Sequence, residues 1–578
     1  MVFVIGVLVY LALFLRLFYL QIVKGEHYQD LAKRNYIRKR VLYAQRGNIT
    51  DRNGNLLAYD APRYYLMLDY QKLENKKELE EVLEKIKEVF GAKIQAKITR
   101  AIEPVVLMRL ETQEELDRFY NNAYSLPGVF TSVIPERKYP FGELFCHVIG
   151  YVALPDRQAI EKFRKRIGPQ SLVGISGLEK SQDEKLLGWV GTEEIVVNAV
   201  GRVVRTIGES KPKMGLSLRT SLDVRLQAIC KEVFEKSGQK AGGIIFMDPR
   251  DGEVLALYSH PGFDPERIGE NWENLNKDPL KPLLNRVINA RYPPASVIKP
   301  AIGIALLERG VSPGDRINCK GYIELGGRRF HCWNRSGHGR QNLKDAIRNS
   351  CDVYFYELCY EKLGPNGIAK TLMDFCYGQD LKFDIPFVKG IVPTPEWKKR
   401  VKRENWYGGD TINLSIGQGY IASTLLEQTL MMMGIVNEGV IYRPIIVKEV
   451  LRGNETIWRA KKEVLKVIRA RPSHFAIVKE ALREVVRYGT ARSAFSHRIE
   501  IAGKTGTAQV SPFSTLRKNL PYRLRDHAWF VGFAPFRDPV FLVGVFVEHG
   551  GSGGQVAAPI AKAVIERALD LGIHKEVL

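Results

Sequence analysis

The first hydrophobic segment of the sequence is a long run of apolar residues at the start of the chain. Residues 2–23 are apolar except for Arg16 and Gln21. A helix of this length spans roughly 33 Å, which is enough to cross a bilayer. A buried core helix is the alternative, but an N-terminal helix that is apolar on every side is more typical of a membrane anchor. The pattern therefore predicts a transmembrane anchor over residues 1–24.

The residues that follow this run bear on its processing and orientation. No small-residue site of the kind that signal peptidase cleaves comes after it, which favours a retained anchor over a removed signal peptide. The positive residues of this region, from Lys24 to Arg40, all follow the span. Taken alone, the positive-inside rule would then place the rest of the chain in the cytoplasm.

Between residues 25 and 212 the pattern changes repeatedly without offering a candidate for chemistry. Residues 45–58 read as a strand, an Asn-Gly turn and a second strand. Residues 71–120 are charged and are predicted to be helical, and a more β-rich stretch follows Gly174. We interpret residues 25–212 as a spacer domain of mixed α/β structure.

From residue 213 to residue 573, strand signals lie at both ends and mostly helical sequence lies between them, up to about residue 490. The predicted elements are a strand over 216–220, a helix over 223–234, a hairpin of strands 243–248 and 253–258, strands over 499–504, 528–533 and 540–547, and a helix over 559–571. Strand pairs at both ends of a domain predict one antiparallel sheet, flanked by helices, whose halves are distant in sequence. The predicted fold class is α+β with several domains.

Composition narrows the class of partner. A chain of 578 residues is too long for one core, and 45% hydrophobic with 26% charged residues is ordinary for globular proteins. The net charge of +22 predicts an anionic partner, for which nucleic acid, lipid headgroups and acidic cell-wall precursors all qualify. The sequence has no recognisable nucleic-acid motif and no basic stripe with interleaved aromatic residues, so we do not predict nucleic-acid binding.

The strongest candidate for chemistry is Ser296, in a Ser-x-x-Lys motif with Lys299. Prolines before the motif predict an extended entry, and residues 301–308 predict a helix that stops near Gly310. Pro300 fits only in the first turn of that helix. Ser296 should then lie at the mouth of the helix with Lys299 one turn on, where a desolvated lysine with a lowered pKa could activate the serine. The motif alone is weak, because a second copy occurs at Ser210 in a polar linker.

Two further motifs follow along the chain. Ser350-Cys351-Asp352 comes after a predicted helix that ends near residue 349, and Lys504-Thr505-Gly506-Thr507 lies on a predicted strand. Lys504 and Thr505 can hold a substrate carboxylate, and Gly506 would let a ligand approach the backbone closely. Each motif is common by itself, but the three in this order match the set found in serine acyltransferases that bind penicillin.

On these motifs, the chain resembles a class B penicillin-binding protein along nearly its whole length, most closely the cell-elongation branch called penicillin-binding protein 2. Further matching segments are residues 46–54, 177–179, 247–256, 411–419 and 527–535, and the signs of the elongation branch are Trp333, residues 337–339, Asp352 and residues 548–554. In two places the sequence departs from the family pattern. Ala295 stands where glycine often precedes the serine, and Leu425 stands where the family usually has proline. Neither change removes a reactive group.

The resemblance implies a transmembrane helix, an elongated α/β pedestal and a C-terminal transpeptidase domain similar to serine β-lactamases. It implies that Ser296 attacks the penultimate D-Ala carbonyl of a peptidoglycan stem peptide and expels the terminal D-Ala, with Lys299 as base. Ser350 would relay the proton to the leaving group, and Asp352 would position Lys299. Lys504, Thr505 and Thr507 would hold the terminal carboxylate, and β-lactams would inhibit the enzyme. The backbone N–H groups of Ser296 and Thr507 would form the oxyanion hole, and a charged Lys504 would help to keep Lys299 neutral.

The resemblance also bears on location and partners. It implies a single-pass protein of the bacterial cytoplasmic membrane whose catalytic domain lies outside the cytoplasm, against the orientation that the charges alone indicate. It further implies a membrane partner, a glycan polymerase of the shape, elongation, division and sporulation family. The chemistry itself would need no cofactor.

The cysteines suggest a metal site. Cys319, Cys332 and Cys351 bracket His338, and three thiolates with one imidazole form a closed tetrahedral zinc set. The spacing is not that of a standard zinc finger, so a Cys319–Cys332 disulfide and ordinary buried thiols remain alternatives, and His331 is an alternative ligand. A zinc ion here would brace the Ser350 loop.

Other functions compete with transpeptidation. The protein could serve mainly as a scaffold that activates the polymerase, with residues 1–210 making the contact. A β-lactamase is disfavoured because no residue offers itself as the base for deacylation. The division-specific sibling transpeptidase is disfavoured by residues 337–339 and by Asp352.

Overall fold

The computed structural model describes residues 2–28, 37–70, 73, 75–91, 104–197, 203–510 and 520–573. An apolar helix, α1 (Val2–Phe18), begins the chain and is extended by a π-helical turn, Tyr19–Val23. Residues Phe3–Val23 have a mean hydropathy of 2.4, and none of these residues is buried inside the protein. In the described part of the chain this is the one helix whose length and composition suit a membrane crossing. The predicted helix is therefore present.

An N-terminal lobe of sheets and short helices follows. Its strands are β1 (Ile37–Leu42), β2 (Ile49–Thr50), β3 (Leu56–Leu68), β4 (Val105–Leu110), β5 (Val129–Lys138), β6 (Val152–Ala153), β7 (Val173–Gly174), β8 (Gly191–Val197), β9 (Val203–Ser210) and β10 (Ser217–Thr220). Its helices are α2 (Lys76–Phe90), α3 (Gln113–Asn122), α4 (Cys146–Ile149), α5 (Arg157–Phe163), α6 (Gly177–Ser181) and α7 (Asp183–Leu186). The predicted strand, Asn-Gly turn and strand are confirmed as β2, a turn at Gly54 with φ of +91°, and β3.

The prediction that residues 71–120 are helical is only partly right. Helices α2 and α3 lie there, each started by a side-chain cap, from Asn75 and Thr112. Between them, however, β4 pairs antiparallel with β3 and buries Leu107 and Leu110 against the two helices. Residues 105–110 form a strand because they pair with the long strand β3, and local composition could not show this. Residues 92–103 of the predicted helix lie outside the described residues.

The lobe buries a network of charges where its segments meet. Arg46 Nε donates to Glu179 Oε2 at 2.6 Å, and Arg137 Nε donates to Glu179 Oε1 at 2.7 Å. Asp183 pairs with Arg46 at 2.5 Å, and Asp60 pairs with Arg137 at 3.1 Å. Two guanidinium groups thus face three carboxylates, and the Glu179 side chain is fully buried. We call these five residues the pedestal ion network.

The rest of the chain forms a larger sheet-and-helix domain. Its strands are β11 (Gly242–Met247), β12 (Val254–His260), β13 (Ile317–Cys319), β14 (Tyr322–Leu325), β15 (Arg328–His331), β16 (Gly339–Gln341), β17 (Val440–Tyr442), β18 (Val447–Arg452), β19 (Glu455–Arg459), β20 (Val464–Val467), β21 (Ala502–Ala508), β22 (His527–Ala534) and β23 (Phe541–Val547). Its helices are α8 (Val224–Lys236), α9 (Ile268–Lys277), α10 (Lys299–Glu308), α11 (Leu343–Arg348), α12 (Asp352–Leu358), α13 (Gly364–Asp374), α14 (Pro395–Lys402), α15 (Gly408–Ser415), α16 (Leu425–Val436), α17 (Pro472–Arg487) and α18 (Ala558–Asp570).

The predicted central sheet is confirmed. Five strands run in the order β12-β11-β23-β22-β21, and all their pairings are antiparallel. The first two strands and the last three come from opposite ends of the domain's sequence. Their residues are almost all buried, because α16, α17 and α18 pack against the sheet. This sheet supports the candidate site.

The stretch predicted to be mostly helical also contains eight short strands, from β13 to β20. Strands of three to six residues carry too little periodicity to be separated from loops by pattern alone. Two of them, β18 and β19, extend a sheet of the N-terminal lobe in the order β19-β18-β10-β2-β3-β4. The lobe and the larger domain are therefore joined by a shared sheet, not only by a linker.

Candidate active site

Ser296 lies in a tight turn at the start of α10. Residues Ala295–Ile298 form a 3₁₀ turn that runs directly into the helix, and Pro300 occupies its first turn as predicted. Ala295 has φ of +51°, a left-handed conformation that explains why glycine often stands at this position. The turn is fixed by a hydrogen bond from Ala295 N to Gly417 O at 2.9 Å. Ser296 is thereby presented, half-buried, at the edge of a cavity.

Lys299 is fully buried beneath Ser296 and is held by the second motif. Its Nζ donates to Asp352 Oδ1 at 2.6 Å, to Ser350 O at 2.9 Å and to Ser350 Oγ at 3.4 Å. The ring of Phe355 covers the ammonium from 5.3 Å. In the described structure no hydrogen bond joins Lys299 to the Ser296 hydroxyl. The amine is placed one helical turn from the serine and is already engaged with the proton-relay candidates.

Ser350 connects the two lysines. It follows the C-terminal end of α11 with φ of +54°, a conformation that turns its carbonyl and hydroxyl toward the amines. Its Oγ accepts a hydrogen bond from Lys504 Nζ at 3.0 Å in addition to the longer one from Lys299. One hydroxyl thus bridges amines from the first and third motifs. A bridging hydroxyl of this kind can pass a proton between them.

Asp352 begins α12 and faces inward. Burial raises the pKa of Asp352 above its ordinary value, although the charge of Lys299 opposes this. Its second oxygen, Oδ2, accepts from the backbone N–H of Trp333 at 2.9 Å. The carboxylate therefore orients Lys299 on one side and ties down the residues around Trp333 on the other.

Lys504 is fully buried close to Lys299. We expected a charged Lys504 to favour a neutral Lys299. In the structure, complete burial and then the nearby charge of Lys299 lower the pKa of Lys504 well below its usual 10.5. Two cations and one carboxylate share this buried site, so one of the two amines is driven to lose its proton.

The strand β21 forms one wall of the site with the third motif. Thr505 is buried and its hydroxyl lies 2.7 Å from that of Thr490, whereas Thr507 is exposed and its Oγ1 accepts from Gly553 N at 3.2 Å. A Cβ on Gly506 would lie 2.8 Å from Val297 Cγ2 and 3.0 Å from Pro294 O. The Ser296 turn thus occupies the space on this side of the glycine. The absence of a side chain on Gly506 lets β21 pass close to that turn.

A cavity of about 720 Å³ opens above the three motifs. Of the predicted residues, its walls include Ser296, Cys332, Ser350, Asp352, Thr505 and Thr507. Sequence reasoning did not identify most of the other lining residues, which include Arg328, Arg329, Phe330, Arg335, Tyr356, Asn413, Gln418, Thr490 and Arg492. The sequence signals for some of them were the basic run around residues 328–335 and the family-matching segment 411–419, which contains Asn413 and Gln418. The structure thus brings all three motifs to one cavity with a strongly basic rim.

The four predicted metal ligands also come together. Cys319, Cys332, His338 and Cys351 offer ligand atoms that all lie within 4.8 Å of one another. His338 Nδ1 lies 3.6 Å from Cys319 Sγ and 3.5 Å from Cys332 Sγ. In a tetrahedral zinc site with bonds of about 2.0–2.3 Å, ligand atoms are about 3.5–3.8 Å apart. The donor set and its spacing fit zinc, and the cysteines are not joined by disulfides. His331 is exposed and lies outside this group.

The arrangement is suited to acyl transfer. A serine stands at the mouth of a cavity, a buried amine lies one turn below it, and a second amine is connected through a hydroxyl. Strand β21 offers backbone and hydroxyl groups along the same cavity. These are the parts that nucleophilic catalysis with proton relay requires.

Two family models match the chain. The model described as the penicillin-binding protein transpeptidase domain matches residues 242–566. The model described as the penicillin-binding protein dimerisation domain matches residues 41–220. Together they cover both the N-terminal lobe and the larger domain.

Individual proteins are similar over nearly the whole chain. The peptidoglycan D,D-transpeptidase MrdA of Acinetobacter baumannii is 33% identical over 564 residues, which cover 94% of this chain and 83% of that protein. A complex between penicillin-binding protein 2 and MreC from Helicobacter pylori contains a chain that is 30% identical with a TM-score of 0.80, covering 93% of this chain and 99% of that one. A chain of a peptidoglycan synthase complex that coordinates polymerization and crosslinking is 27% identical with a TM-score of 0.72, covering 98% and 97%.

Proposed function

The chain belongs to the penicillin-binding proteins, in the penicillin-binding protein 2 branch of peptidoglycan D,D-transpeptidases, and from this premise we propose that it crosslinks stem peptides during cell elongation through an acyl-enzyme on Ser296. β-Lactams would acylate the same serine. The chemistry uses only groups of the chain itself.

The proposed reaction has two halves. The Ser350 hydroxyl lies between the two amines, so a proton can pass through it from Lys299 to Lys504. Lys299, neutral after this transfer, accepts the proton of the Ser296 hydroxyl as the serine oxygen attacks the penultimate D-Ala carbonyl. The C–N bond to the terminal D-Ala then breaks, and Ser350 relays a proton to the departing amine. In the second half, an amine of a neighbouring stem peptide attacks the ester and releases Ser296, which regains its proton. Backbone N–H groups of Ser296 and Thr507 would stabilise the oxyanion, a contribution of about 3 kcal/mol per donor.

The remaining motif residues would bind the donor peptide. Thr505, Gly506 and Thr507 lie on β21 along the cavity, where the terminal carboxylate can accept hydrogen bonds from the hydroxyls and the strand backbone. Asp352 would hold Lys299 in place through its 2.6 Å contact. Lys504 would complete the proton relay through Ser350.

The observation that supports these roles best is the position of the Ser350 hydroxyl between two lysine amines. Three motifs that are far apart in sequence converge on this one atom, next to the turn that presents Ser296. A structural role would not require two buried amines to share a hydroxyl with only one carboxylate nearby, because such a site is costly to bury.

The test is the intact mass of the full-length protein in detergent after incubation with a penicillin. Wild type should gain one long-lived adduct, and Ser296→Ala should gain none. Ser210→Ala is the matched control, because Ser210 belongs to the second Ser-x-x-Lys copy and should retain the adduct. Rapid drug hydrolysis without a lasting adduct would instead indicate a β-lactamase. An adduct that persists in Ser296→Ala would disprove the assignment of the nucleophile.

We also propose that the cluster of Cys319, Cys332, His338 and Cys351 holds a structural zinc ion. Cys351 lies between Ser350 and Asp352, so an ion there would fix the loop that contacts both lysines. Metal analysis of protein prepared without chelators should find one zinc per chain. Cys319→Ser should lose it, whereas Cys376→Ser, a buried cysteine outside the cluster, should keep it. Absence of stoichiometric zinc in wild type would remove the hypothesis.

Membership of this family also suggests where the protein is located and which partner it has. We propose that α1 anchors the protein in the bacterial cytoplasmic membrane with the catalytic domain on the outer side. We propose that a RodA-like glycan polymerase is its membrane partner; one similar chain belongs to a peptidoglycan synthase complex. Protease added to intact spheroplasts should digest the catalytic domain. Protection from the protease would contradict this orientation.

A scaffold role is the second candidate, because the N-terminal lobe and α1 form a large part of the chain and contain no candidate catalytic group. Cells depleted of the native protein separate the two roles. Ser296→Ala should fail to restore cell shape if crosslinking is needed, and should restore it if the protein is mainly a scaffold. The division into residues 1–24, 25–212 and 213–573 stays a prediction.

A further inference from the structure

The rim of the catalytic cavity carries more positive charge than the proposed reaction uses. Arg328 and Arg329 lie on β15, Arg335 follows the β14–β15 hairpin, and Arg492 lies on the 3₁₀ turn Arg492–Ala494 after α17. All four line the same cavity as Ser296. The terminal carboxylate of a donor peptide would be held by β21, so it does not account for arginines on the hairpin.

Neither of the two carboxylates that line the cavity, Asp352 and Asp526, is paired with Arg328. Asp352 is occupied by Lys299, and Asp526 accepts a hydrogen bond from Val510 N at 3.3 Å. Arg329 is paired with Glu324 at the surface. Within the described part of the chain, no carboxylate lies at ion-pair distance from Arg328, whose guanidinium instead stacks over the Phe330 ring at 5.3 Å. Arg328 is thus a cation on the cavity rim without an anionic partner.

The hairpin that carries Arg328 is well fixed. Gly326 and Gly327 form its two-residue turn with φ of +56° and +72°, the combination that a tight hairpin turn requires. At its base, Cys332 N donates to Gly321 O at 2.9 Å. The Phe330 ring lies 2.9 Å from where a Cβ on Gly409 would be, so the hairpin packs closely on α15. The guanidinium is therefore presented by a braced element, which reduces the entropy lost when it binds a ligand.

We propose that Arg328 forms a subsite for a second carboxylate of the peptide substrate, one that lies outside the D-Ala-D-Ala terminus. The inference rests on the proposed function and narrows its substrate to stem peptides that carry a free carboxylate on an upstream residue. Guanidinium groups bind carboxylates with charge-assisted, often bidentate hydrogen bonds, whereas a carboxamide in the same place brings no charge. The enzyme should therefore discriminate between free and amidated stem peptides.

The test uses the full-length protein in detergent with two synthetic donors that end in D-Ala-D-Ala. They differ only in whether the upstream side chain carries a carboxylate or a carboxamide, and release of D-Ala gives kcat/KM. Wild type should favour the carboxylate about 10-fold, and less at high salt because the contact is near the surface. Arg328→Gln should reduce the preference to about 2-fold. Arg340→Gln, an exposed arginine of the same region outside the cavity, should retain it.

A second arm locates the carboxylate. A preformed acyl-enzyme is offered acceptor peptides in the same two forms, so a preference in this arm assigns the subsite to the acceptor instead of the donor. Loss of the preference in Arg328→Gln in either arm supports the proposal. Equal rates for both forms in wild type, in both arms, would overturn it while leaving the transpeptidase assignment intact, provided that penicillin still acylates Ser296. Failure of penicillin to acylate wild type would overturn the proposed function and this inference together.

Discussion

The N-terminal lobe and the catalytic domain both bury charged side chains, but with opposite balances. In the pedestal ion network, two guanidinium groups are surrounded by three carboxylates, and Glu179 alone receives hydrogen bonds from both arginines. In the catalytic cluster, two amines share one carboxylate and one hydroxyl. In the first arrangement every charged group has an oppositely charged partner, whereas in the second, burial and a neighbouring cation lower the pKa of one amine.

This difference separates a structural network from a reactive one. Burial alone would raise the pKa of Glu179, yet Arg137 and Arg46 together lower it, so the carboxylate stays charged and fixed. Burial and Lys299 instead lower the pKa of Lys504. Arginine cannot exchange its proton near neutral pH, and lysine can. The choice of residue type therefore matches the task of each cluster.

The largest expected effect comes from breaking the catalytic cluster. Lys299→Met removes the proposed base while keeping a long apolar side chain in its place. Acylation of Ser296 by penicillin should fall by about 10²–10⁴-fold, the usual contribution of a positioned base. The rate is obtained from the intact mass of samples in which the reaction has been quenched at successive times. An unchanged rate would show that another group activates the serine.

Breaking the pedestal ion network should change stability and not chemistry. Glu179→Gln leaves two buried guanidinium groups without their shared carboxylate, which should lower the free energy of unfolding by about 3–5 kcal/mol. Glu114→Gln, in an exposed pair with Arg118, is the control and should leave the denaturation midpoint unchanged. Folded Glu179→Gln should still be acylated at the wild-type rate. Slow acylation by the folded variant would instead connect the lobe to the chemistry.

Acid titration sharpens the same contrast. Because the folded pKa of Glu179 is below its ordinary 4.5, its contribution to stability is present above pH 4.5 and is lost as pH falls through the lowered value. Wild type should therefore lose more stability than Glu179→Gln when the pH is lowered from 5 toward 3. Denaturant midpoints across that range measure it. Parallel curves for the two proteins would contradict the lowered pKa.

The smallest expected effect is that of replacing Lys504. This change should stabilise the protein, whereas replacing Glu179 should destabilise it. The folded pKa of Lys504 is lowered, so between that value and 10.5 the unfolded state binds more protons, and wild-type stability rises with pH. Lys504→Met should be somewhat more stable than wild type at pH 7, and the gain should shrink as pH approaches 10.5. Lys240→Met, on a lysine outside the site, should show no such convergence. A variant that is less stable at neutral pH would refute the unfavourable burial of this amine.

The sequence pointed to the candidate catalytic residues because each lies in a short motif with strong local chemistry. Ser296, Ser350 and Lys504 were identified from their neighbours along the chain, and the central sheet followed from long apolar strands. The sequence could not show that Ser350 connects Lys299 to Lys504, because Lys504 lies 154 positions after Ser350. It also did not show the pairing of Arg46 with Glu179, 133 positions apart. Such contacts depend on topology, which local periodicity does not encode.

Short strands and the cavity rim were missed for a related reason. Strands β13 to β20 are brief and are stabilised by their partners more than by their own propensity. The positive charge around Arg328 can be seen in the sequence. Its position beside Ser296, which suggests a function for the charge, is seen only in the structure. The close packing of Gly506 on Val297 was not predicted either, because it depends on how β21 meets the Ser296 turn.

The sheet that runs from β19 through β18 and β10 to β2 has a practical consequence for any shortened form of the protein. Strand β10 pairs with β18 on one side and with β2 on the other. A chain that begins at residue 213 keeps β10 and β18 but loses β2, and the free edge of β10 becomes a template for association between copies. A shortened enzyme that stays monomeric should therefore start between the membrane helix and Ile49, and not at residue 213.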